Sequence, residues 1–140
     1  MSEVQQGADE VVLVVPAQPE MWAVVRMTAS SIAARLDFSF EEIEDLRLAV
    51  TELCTSCAIG ATADARCESR FTVSVHQFEM HCEVTPVGDP PPSRPQRLLS
   101  VQELSEQILR ATVDSHSVDA VQDGVRTGYL CKDRRPVALS

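Results

Sequence analysis

The chain has 140 residues, 44% of them hydrophobic, which is enough for one domain with a buried core and too few for two domains of ordinary size. Its 12 basic and 21 acidic residues give a formal net charge of −9, which argues against a nucleic-acid-binding protein and favours protein partners. No apolar segment approaches the roughly 18 residues that a membrane span requires, and no secretory signal pattern is visible, so we expect a cytoplasmic protein.

One strand and one helix are predicted in the first quarter of the chain. The segment from Val11 to Val15 is a short β-branched run that Pro16 ends, which is typical of a strand. From Pro19 to Leu36 apolar residues recur every three or four positions, so this segment predicts a helix. Residues 1–9 are polar, and we expect them to be disordered.

The second predicted helix has the clearest signals. Ser39 and Glu42 form a capping box, in which the side chain of each accepts a hydrogen bond from the backbone amide of the other. The helix is therefore predicted to begin at Phe40 and to run to about Ile59, before Gly60. One stripe of this helix is apolar at three- and four-residue intervals and must be buried; it consists of Ile43, Leu46, Val50, Leu53, Cys54 and Cys57.

The next predicted elements are a β-hairpin and a proline-rich connector. Apolar and polar residues alternate over residues 71–76 and again over residues 80–85, which predicts two antiparallel strands with a turn at residues 77–79. Residues 86–95 include three consecutive prolines, which donate no ladder hydrogen bonds. We therefore expect an exposed loop after the hairpin.

A third helix and a second hairpin complete the chain. Ser100 and Glu103 form another capping box, from which a helix is predicted to about Val113. Asp123-Gly124 suits a type I′ turn between strands at residues 117–122 and 125–132. The element order predicts an α+β fold, a two-layer sandwich with about three helices on one face of a mainly antiparallel sheet. This single domain is expected over residues 10–133, followed by a loose tail at residues 134–140.

The five cysteines favour reduced thiols, because their number is odd and their density is low for a disulfide scaffold. Cys54 and Cys57 form a C-x-x-C motif on the buried stripe of the second helix. A zinc or redox site at this motif would need further ligands, for which the chain offers Cys67, His76, His81 and Cys82.

The second predicted helix also has a polar side. Asp45, Glu52 and Ser56 are spaced seven and four residues apart, so they project from one face, which in most helices is solvated surface. The segment Leu-Arg-Leu-Ala-Val-Thr-Glu-Leu-Cys-Thr-Ser-Cys-Ala from Leu46 to Ala58 resembles the N-box helix of the anti-sigma-factor serine kinases. This family belongs to the gyrase and histidine-kinase ATPase superfamily, and the predicted element order resembles its Bergerat-type ATPase domain.

The resemblance implies roles for two residues of this helix. The N-box of the family carries a glutamate that acts as general base in phosphoryl transfer, and Glu52 stands at that position. Four residues later the family has an asparagine that holds the magnesium ion of Mg-ATP. This chain has Ser56 there, whose hydroxyl can also ligate magnesium but is shorter. Ser56 is therefore the implied metal and cofactor ligand.

The other nucleotide-binding motifs of the family are reduced in this chain. Pro86 stands where the family has the aspartate that recognises adenine, and only Gly88 fits the glycine pattern that follows. The third helix lacks the preceding glycines of the family's phosphate lid. Gly124 and Gly128 match the closing glycine box and, with Gly88, are the implied backbone contacts to the cofactor. We therefore expect the binding of ATP and Mg²⁺ to be weak or lost.

The resemblance implies an anti-sigma factor, which sequesters a sigma factor and is released by an anti-anti-sigma partner. Because the first helix supplies dimer and partner surfaces in the family, we expect a homodimer and assign partner contacts to Arg26, Met27 and Ser30. A merely solvated Arg26 is the alternative to that assignment. Two other functions stay open: an active serine kinase that phosphorylates the anti-anti-sigma protein, with Glu52 as base, and a metal or redox sensor at Cys54 and Cys57.

Overall fold

Five strands and three α-helices make up residues 9–88 and 99–135, which are the residues described in the computed structural model of this chain. The strands are β1 (Asp9–Pro16), β2 (Arg66–Val73), β3 (Gln77–Thr85), β4 (Ser115–Val118) and β5 (Arg126–Asp133). The helices are α1 (Trp22–Arg35), α2 (Phe40–Ala58) and α3 (Leu99–Thr112), and a 3-10 turn at Pro19–Met21 precedes α1. The strands form one antiparallel sheet in the order β1-β2-β3-β5-β4, which confirms the predicted α+β sandwich.

The core lies between the sheet and the helices. Alternate residues of β2, from Cys67 to Val73, are buried, while the residues between them are partly exposed, as expected for a strand with one covered face. The apolar stripe of α2 packs against this face: Leu46, Val50, Leu53, Cys54 and Cys57 are all completely buried. The predicted stripe is confirmed, with Ile43 at its partly exposed margin.

The start and the end of α2 are set by local signals that are visible in the sequence. The Ser39 hydroxyl accepts a hydrogen bond from the Glu42 amide at 3.1 Å, and a Glu42 carboxylate oxygen accepts one from the Ser39 amide at 2.8 Å. The predicted capping box is therefore present, and α2 begins at Phe40 as expected. Gly60 follows the end of α2 with φ = 77°, a backbone conformation that glycine adopts without strain.

The β2–β3 turn lies earlier than the alternation predicted. β2 ends at Val73 and β3 already begins at Gln77, so the turn occupies residues 74–76 and not residues 77–79. The Ser74 amide donates to the Gln77 carbonyl at 2.9 Å and closes the turn. Val75 continues the apolar alternation of β2 but is 62% exposed, which is why periodicity alone misplaced the turn.

The closing hairpin has the predicted turn and a shorter first strand. Asp123 and Gly124 both have positive φ, 55° and 79°, as a type I′ turn requires. β4 covers only Ser115–Val118, and beyond it a single bridge joins Gln122 to Val125 before β5 starts. The third helix begins at Leu99, so Ser100 lies inside its first turn and not at the N-cap position.

Residues at both ends of the described chain make contacts with the domain. Asp9 pairs with Val73 and is the first residue of β1. At the other end the Arg134 amide donates to the His76 carbonyl at 2.7 Å, and the Arg135 amide donates to Glu42 at 2.9 Å. The rest of the predicted disordered start, most of the proline-rich loop and residues 136–140 lie outside the described residues.

Glu42 joins the start of α2 to the end of β5 and makes stability depend on pH. Burial raises the pKa of Glu42, but hydrogen bonds from the Ser39 and Arg135 amides and the charge of Lys132 outweigh it, so its pKa lies below the ordinary value. A carboxyl group whose pKa is lower in the folded state stabilises the fold above the unfolded-state pKa and loses this contribution as pH falls through the folded-state pKa.

We expect Glu42→Gln to lower the free energy of unfolding by about 1 kcal/mol at pH 7, because the charge-assisted cap is lost. Urea unfolding at several pH values measures this. The difference from the wild type should begin to shrink as pH falls below the unfolded-state pKa of about 4.3, and it should be lost once the carboxyl group of the folded protein is protonated. Glu41→Gln, an exposed neighbour in the same turn, is the control. A difference that stays constant down to pH 3 would contradict the role assigned to the carboxylate.

Candidate active site on helix α2

The two N-box residues of α2 have different surroundings. Glu52 is partly exposed, and its carboxylate has no hydrogen bond or ion pair with residues 9–88 or 99–135. Ser56 is 1% exposed, and its Oγ lies 2.9 Å from Ser105 Oγ of α3. The expected continuous polar face of Asp45, Glu52 and Ser56 is therefore interrupted, because α3 packs over its last residue.

Arg126 is a buried residue of this region that the sequence did not single out. It is 5% exposed, and its Nη1 donates to the Ser56 carbonyl oxygen at 3.2 Å. In the sheet Arg126 is paired with Val84, close to the end of β3 and to Pro86. A guanidinium group therefore lies beside the residue that the resemblance identified as the magnesium ligand. No local motif in the sequence marks Arg126, because its hydrogen bond is with a residue of another element, α2.

The three glycines implied in cofactor binding lie in different environments. Gly88 has φ = +81°, and a β-carbon added there would meet nothing within 4 Å. Gly124 lies in the β4–β5 turn. Gly128 is buried in β5, where an added β-carbon would lie 2.7 Å from Cys57 Sγ and 2.8 Å from Leu53 Cδ1. Gly128 therefore permits the close packing of α2 on the sheet, a role that the sequence motif did not indicate.

The three predicted partner-binding residues lie together on α1. Met27 is 65% exposed, while Arg26 and Ser30 are partly buried. Arg26 Nη1 donates to Thr51 Oγ1 at 3.0 Å, and Arg47 Nη1 donates to Ser30 Oγ at 3.2 Å, so both residues are tied to α2. Sequence reasoning missed Thr51 and Arg47, although their four-residue spacing on α2 could have indicated one common face.

A cavity of about 550 Å³ lies at the other end of α2 from Glu52 and Ser56. Its floor carries Lys132, which is 5% exposed and whose Nζ donates to the Thr112 carbonyl at 2.8 Å. The same Nζ lies 3.7 Å from the Asp45 carboxylate. Lys132 is therefore engaged by the Thr112 carbonyl and the Asp45 carboxylate, and the lining of this cavity does not include Glu52 or Ser56.

The candidate metal ligands divide into two groups. Cys54, Cys67 and Cys82 are buried, and their sulfur atoms approach one another in the core. His76 lies in the β2–β3 turn, and the His81 ring contacts the Tyr129 ring in a tilted arrangement, with a centroid distance of 4.9 Å, on the uncovered face of the sheet. The histidines are therefore not part of the thiol cluster.

The five-stranded antiparallel sheet with three helices is consistent with the fold of a histidine kinase-like ATPase domain. Residues 15–125 match the family described as "Histidine kinase-like ATPase domain". Two relatives named serine-protein kinase RsbW are similar along most of the chain. The one from Bacillus subtilis is 31% identical over 90% of this chain and 74% of its own length, and the one from Bacillus velezensis is 34% identical over 89% and 72%.

A solved structure shows the same fold. It is the crystal structure of the RsbU and RsbW domains of Rv1364c from Mycobacterium tuberculosis, with a TM-score of 0.64 and 14% sequence identity. The alignment covers 94% of this chain and 34% of that chain. From the matches along the sequence, the present chain belongs to the RsbW family of anti-sigma-factor serine kinases. Among residues 9–88 and 99–135, no helix is long and apolar enough to cross a membrane.

Proposed function

We propose that this protein is an anti-sigma factor that sequesters a sigma factor and is released by an anti-anti-sigma partner. The observation that carries this proposal is the exposed surface of α1, where Met27 is solvent-accessible beside the polar side chains of Arg26 and Arg47. Arginine and methionine are enriched at protein interfaces. Hydrogen bonds between α1 and α2 hold Arg26 and Arg47 in fixed positions, which favours recognition of a partner. The net charge of −9 favours a protein partner over a nucleic acid.

We further propose that binding of Mg-ATP is impaired. Ser56, the implied magnesium ligand, is 1% exposed and lies 2.9 Å from Ser105 Oγ of α3, so a metal ion could reach its hydroxyl only if α3 moved. The guanidinium of Arg126 lies against the Ser56 carbonyl, and its positive charge opposes a divalent cation at the same place. The residues present therefore fit a magnesium ion poorly, and we derive no catalytic step through it.

The alternative function is an active serine kinase. Glu52 favours it, because its carboxylate is partly exposed and has no partner among the described residues, which leaves it available as a general base. The reaction would transfer the γ-phosphate of ATP to a serine hydroxyl, from which Glu52 would accept the proton. The family name of the relatives supports this class of reaction, and the surroundings of Ser56 oppose it.

A homodimer is the expected assembly, and β1 supports it. This strand lies at the edge of the sheet, and its outward-facing Val12 and Val14 are 46% and 48% exposed. An edge strand with exposed β-branched residues and unpaired backbone groups is a common surface for strand pairing between subunits. Sedimentation analysis of the purified protein measures this directly.

Calorimetric titration with Mg-ATP tests the proposed impairment. We expect a Kd weaker than about 100 µM, because the metal ligand and the adenine-reading aspartate are both replaced. The Bacillus subtilis relative serves as the positive control under the same conditions. Incubation with labelled ATP and an anti-anti-sigma protein, with Glu52→Gln as the matched inactive variant, decides between the two functions. A low-micromolar affinity, or phosphate transfer that Glu52→Gln abolishes, would establish the kinase alternative.

Co-purification tests the anti-sigma proposal independently of ATP. The tagged protein should retain a sigma factor, which mass spectrometry of the co-purified material would identify, and an added anti-anti-sigma protein should displace it. If the tagged protein retains no sigma factor from cells that express all of their sigma factors, the proposal is overturned.

A further inference from the structure

The core contains a cluster of three thiols from three elements. Cys54 of α2, Cys67 of β2 and Cys82 of β3 have their sulfur atoms within 4.8 Å of one another, and the Cys67 and Cys82 sulfurs are 3.6 Å apart. All three side chains are at most 1% exposed. They lie where α2 crosses the sheet, so residues distant in the sequence meet in one place.

We propose that this cluster binds a single zinc ion, with Cys57 as the fourth ligand. In a tetrahedral thiolate site with Zn–S bonds of about 2.3 Å, neighbouring sulfur atoms are about 3.8 Å apart. The 3.6 Å separation of the Cys67 and Cys82 sulfurs is close to that distance, and no pair in the three-thiol cluster exceeds it by more than about 1 Å. The C-x-x-C pair of α2 and the two strand cysteines together give the four thiols of a closed structural site.

Cys57 is the candidate for the fourth ligand. It lies one helical turn after Cys54, outside the group of sulfur atoms within 4.8 Å of one another, so its side chain would have to turn toward the other three thiols to bind the same ion. Gly128 of β5 is paired directly with Cys82, and a β-carbon there would lie 2.7 Å from Cys57 Sγ. The absence of a side chain at Gly128 therefore leaves the space in which Cys57 approaches Cys82.

A metal ion would offset part of the charge of buried thiolate ligands. The three clustered side chains and Cys57 are all at most 1% exposed and lie in the hydrophobic core. Negative charge in such a place requires compensation. A zinc ion offsets two of the four negative charges, and each ligating thiol releases its proton to solvent on binding, with no change of oxidation state.

Refolding of the full chain with zinc tests the proposal. Because the thiols are buried, the reduced protein is unfolded in guanidinium, refolded with a small excess of Zn²⁺, and separated from free metal before elemental analysis. We expect about one zinc per chain and a melting temperature several degrees above that of the metal-free protein. Refolding with Cd²⁺ should give a sulfur-to-cadmium charge-transfer band in the ultraviolet.

Two serine variants locate the metal. Cys67→Ser should lose the bound zinc and the cadmium band. Cys131→Ser should keep both, because Cys131 is a buried thiol on the opposite face of the sheet. Zinc retained by Cys67→Ser would overturn the proposal, as would wild-type protein without stoichiometric zinc and without a cadmium band, or a Cys67–Cys82 disulfide in place of the metal. If Cys67→Ser fails to fold, the wild-type stoichiometry and cadmium spectrum still decide.

Discussion

Gly128→Val is expected to lower the free energy of unfolding by about 3 kcal/mol, at the upper end of the usual range for overpacked cores. Even the first added carbon would lie 2.7 Å from Cys57 Sγ and 2.8 Å from Leu53 Cδ1, distances that real β-carbons do not show. Both neighbours belong to α2 and are completely buried, so the helix must move away from the sheet or the side chains must leave their rotamers. Urea denaturation followed by circular dichroism measures the change.

A double-mutant cycle isolates the contact behind this result. In Gly128→Ala with Cys57→Ala, the sulfur atom nearest to the new β-carbon is removed, so the two changes should destabilise less together than the sum of their separate effects. Thr127→Ala, on the neighbouring and partly exposed position of β5, provides a control for the strand itself. Additive effects of the two alanine substitutions would show that the contact with Cys57 does not limit the packing.

Arg26→Glu is expected to weaken sigma-factor binding about 100-fold, which corresponds to about 2.7 kcal/mol. This prediction rests on the proposed anti-sigma function. The substitution reverses a charge beside the exposed Met27 and also breaks the hydrogen bond to Thr51 at 3.0 Å. Loss of that partly exposed hydrogen bond should cost the fold only about 1 kcal/mol, so the variant should remain folded. Affinity is measured by titration of labelled sigma factor, and folding by the melting temperature.

Arg110→Glu is the matched control for this experiment. Arg110 carries the same charge on α3, its side chain is 72% exposed, and it makes a 4.0 Å ion pair with Glu106. Its reversal changes the net charge by the same amount at a distant surface, so it reports any general electrostatic effect on association. Equal loss of binding in the two variants would assign the effect to net charge, and unchanged binding in Arg26→Glu would remove α1 from the partner surface.

The fold could be predicted where the signal is local in the sequence. The capping box of Ser39 and Glu42 fixes the start of α2, because both partners lie within one turn of the helix. The Asp123-Gly124 turn follows from the two positive φ angles that such a turn requires. The buried stripe of α2 follows from its spacing, since any helix packed on one sheet must bury one face.

The site could be predicted only in part, because its contacts are tertiary. The hydrogen bond between Ser56 and Ser105 joins residues 49 positions apart, and the one from Arg126 to Ser56 joins residues 70 positions apart. The spacing of residues along α2 cannot reveal that α3 covers part of its polar face or that β5 supplies the buried guanidinium group of Arg126. The packing role of Gly128 was missed for the same reason, since the residue that it accommodates belongs to another element.

The position of β1 in the sheet has a consequence for how the chain folds. β2 and β3 form a tight hairpin, whereas β1 and β2 are separated by about 50 residues that contain α1 and α2. Bringing together strands so far apart in the sequence costs conformational entropy, which slows their pairing. We therefore expect β1 to join the sheet late and refolding to take milliseconds or longer. As an edge strand it should also open before the interior strands, and its amide protons should exchange with solvent sooner than those of β3.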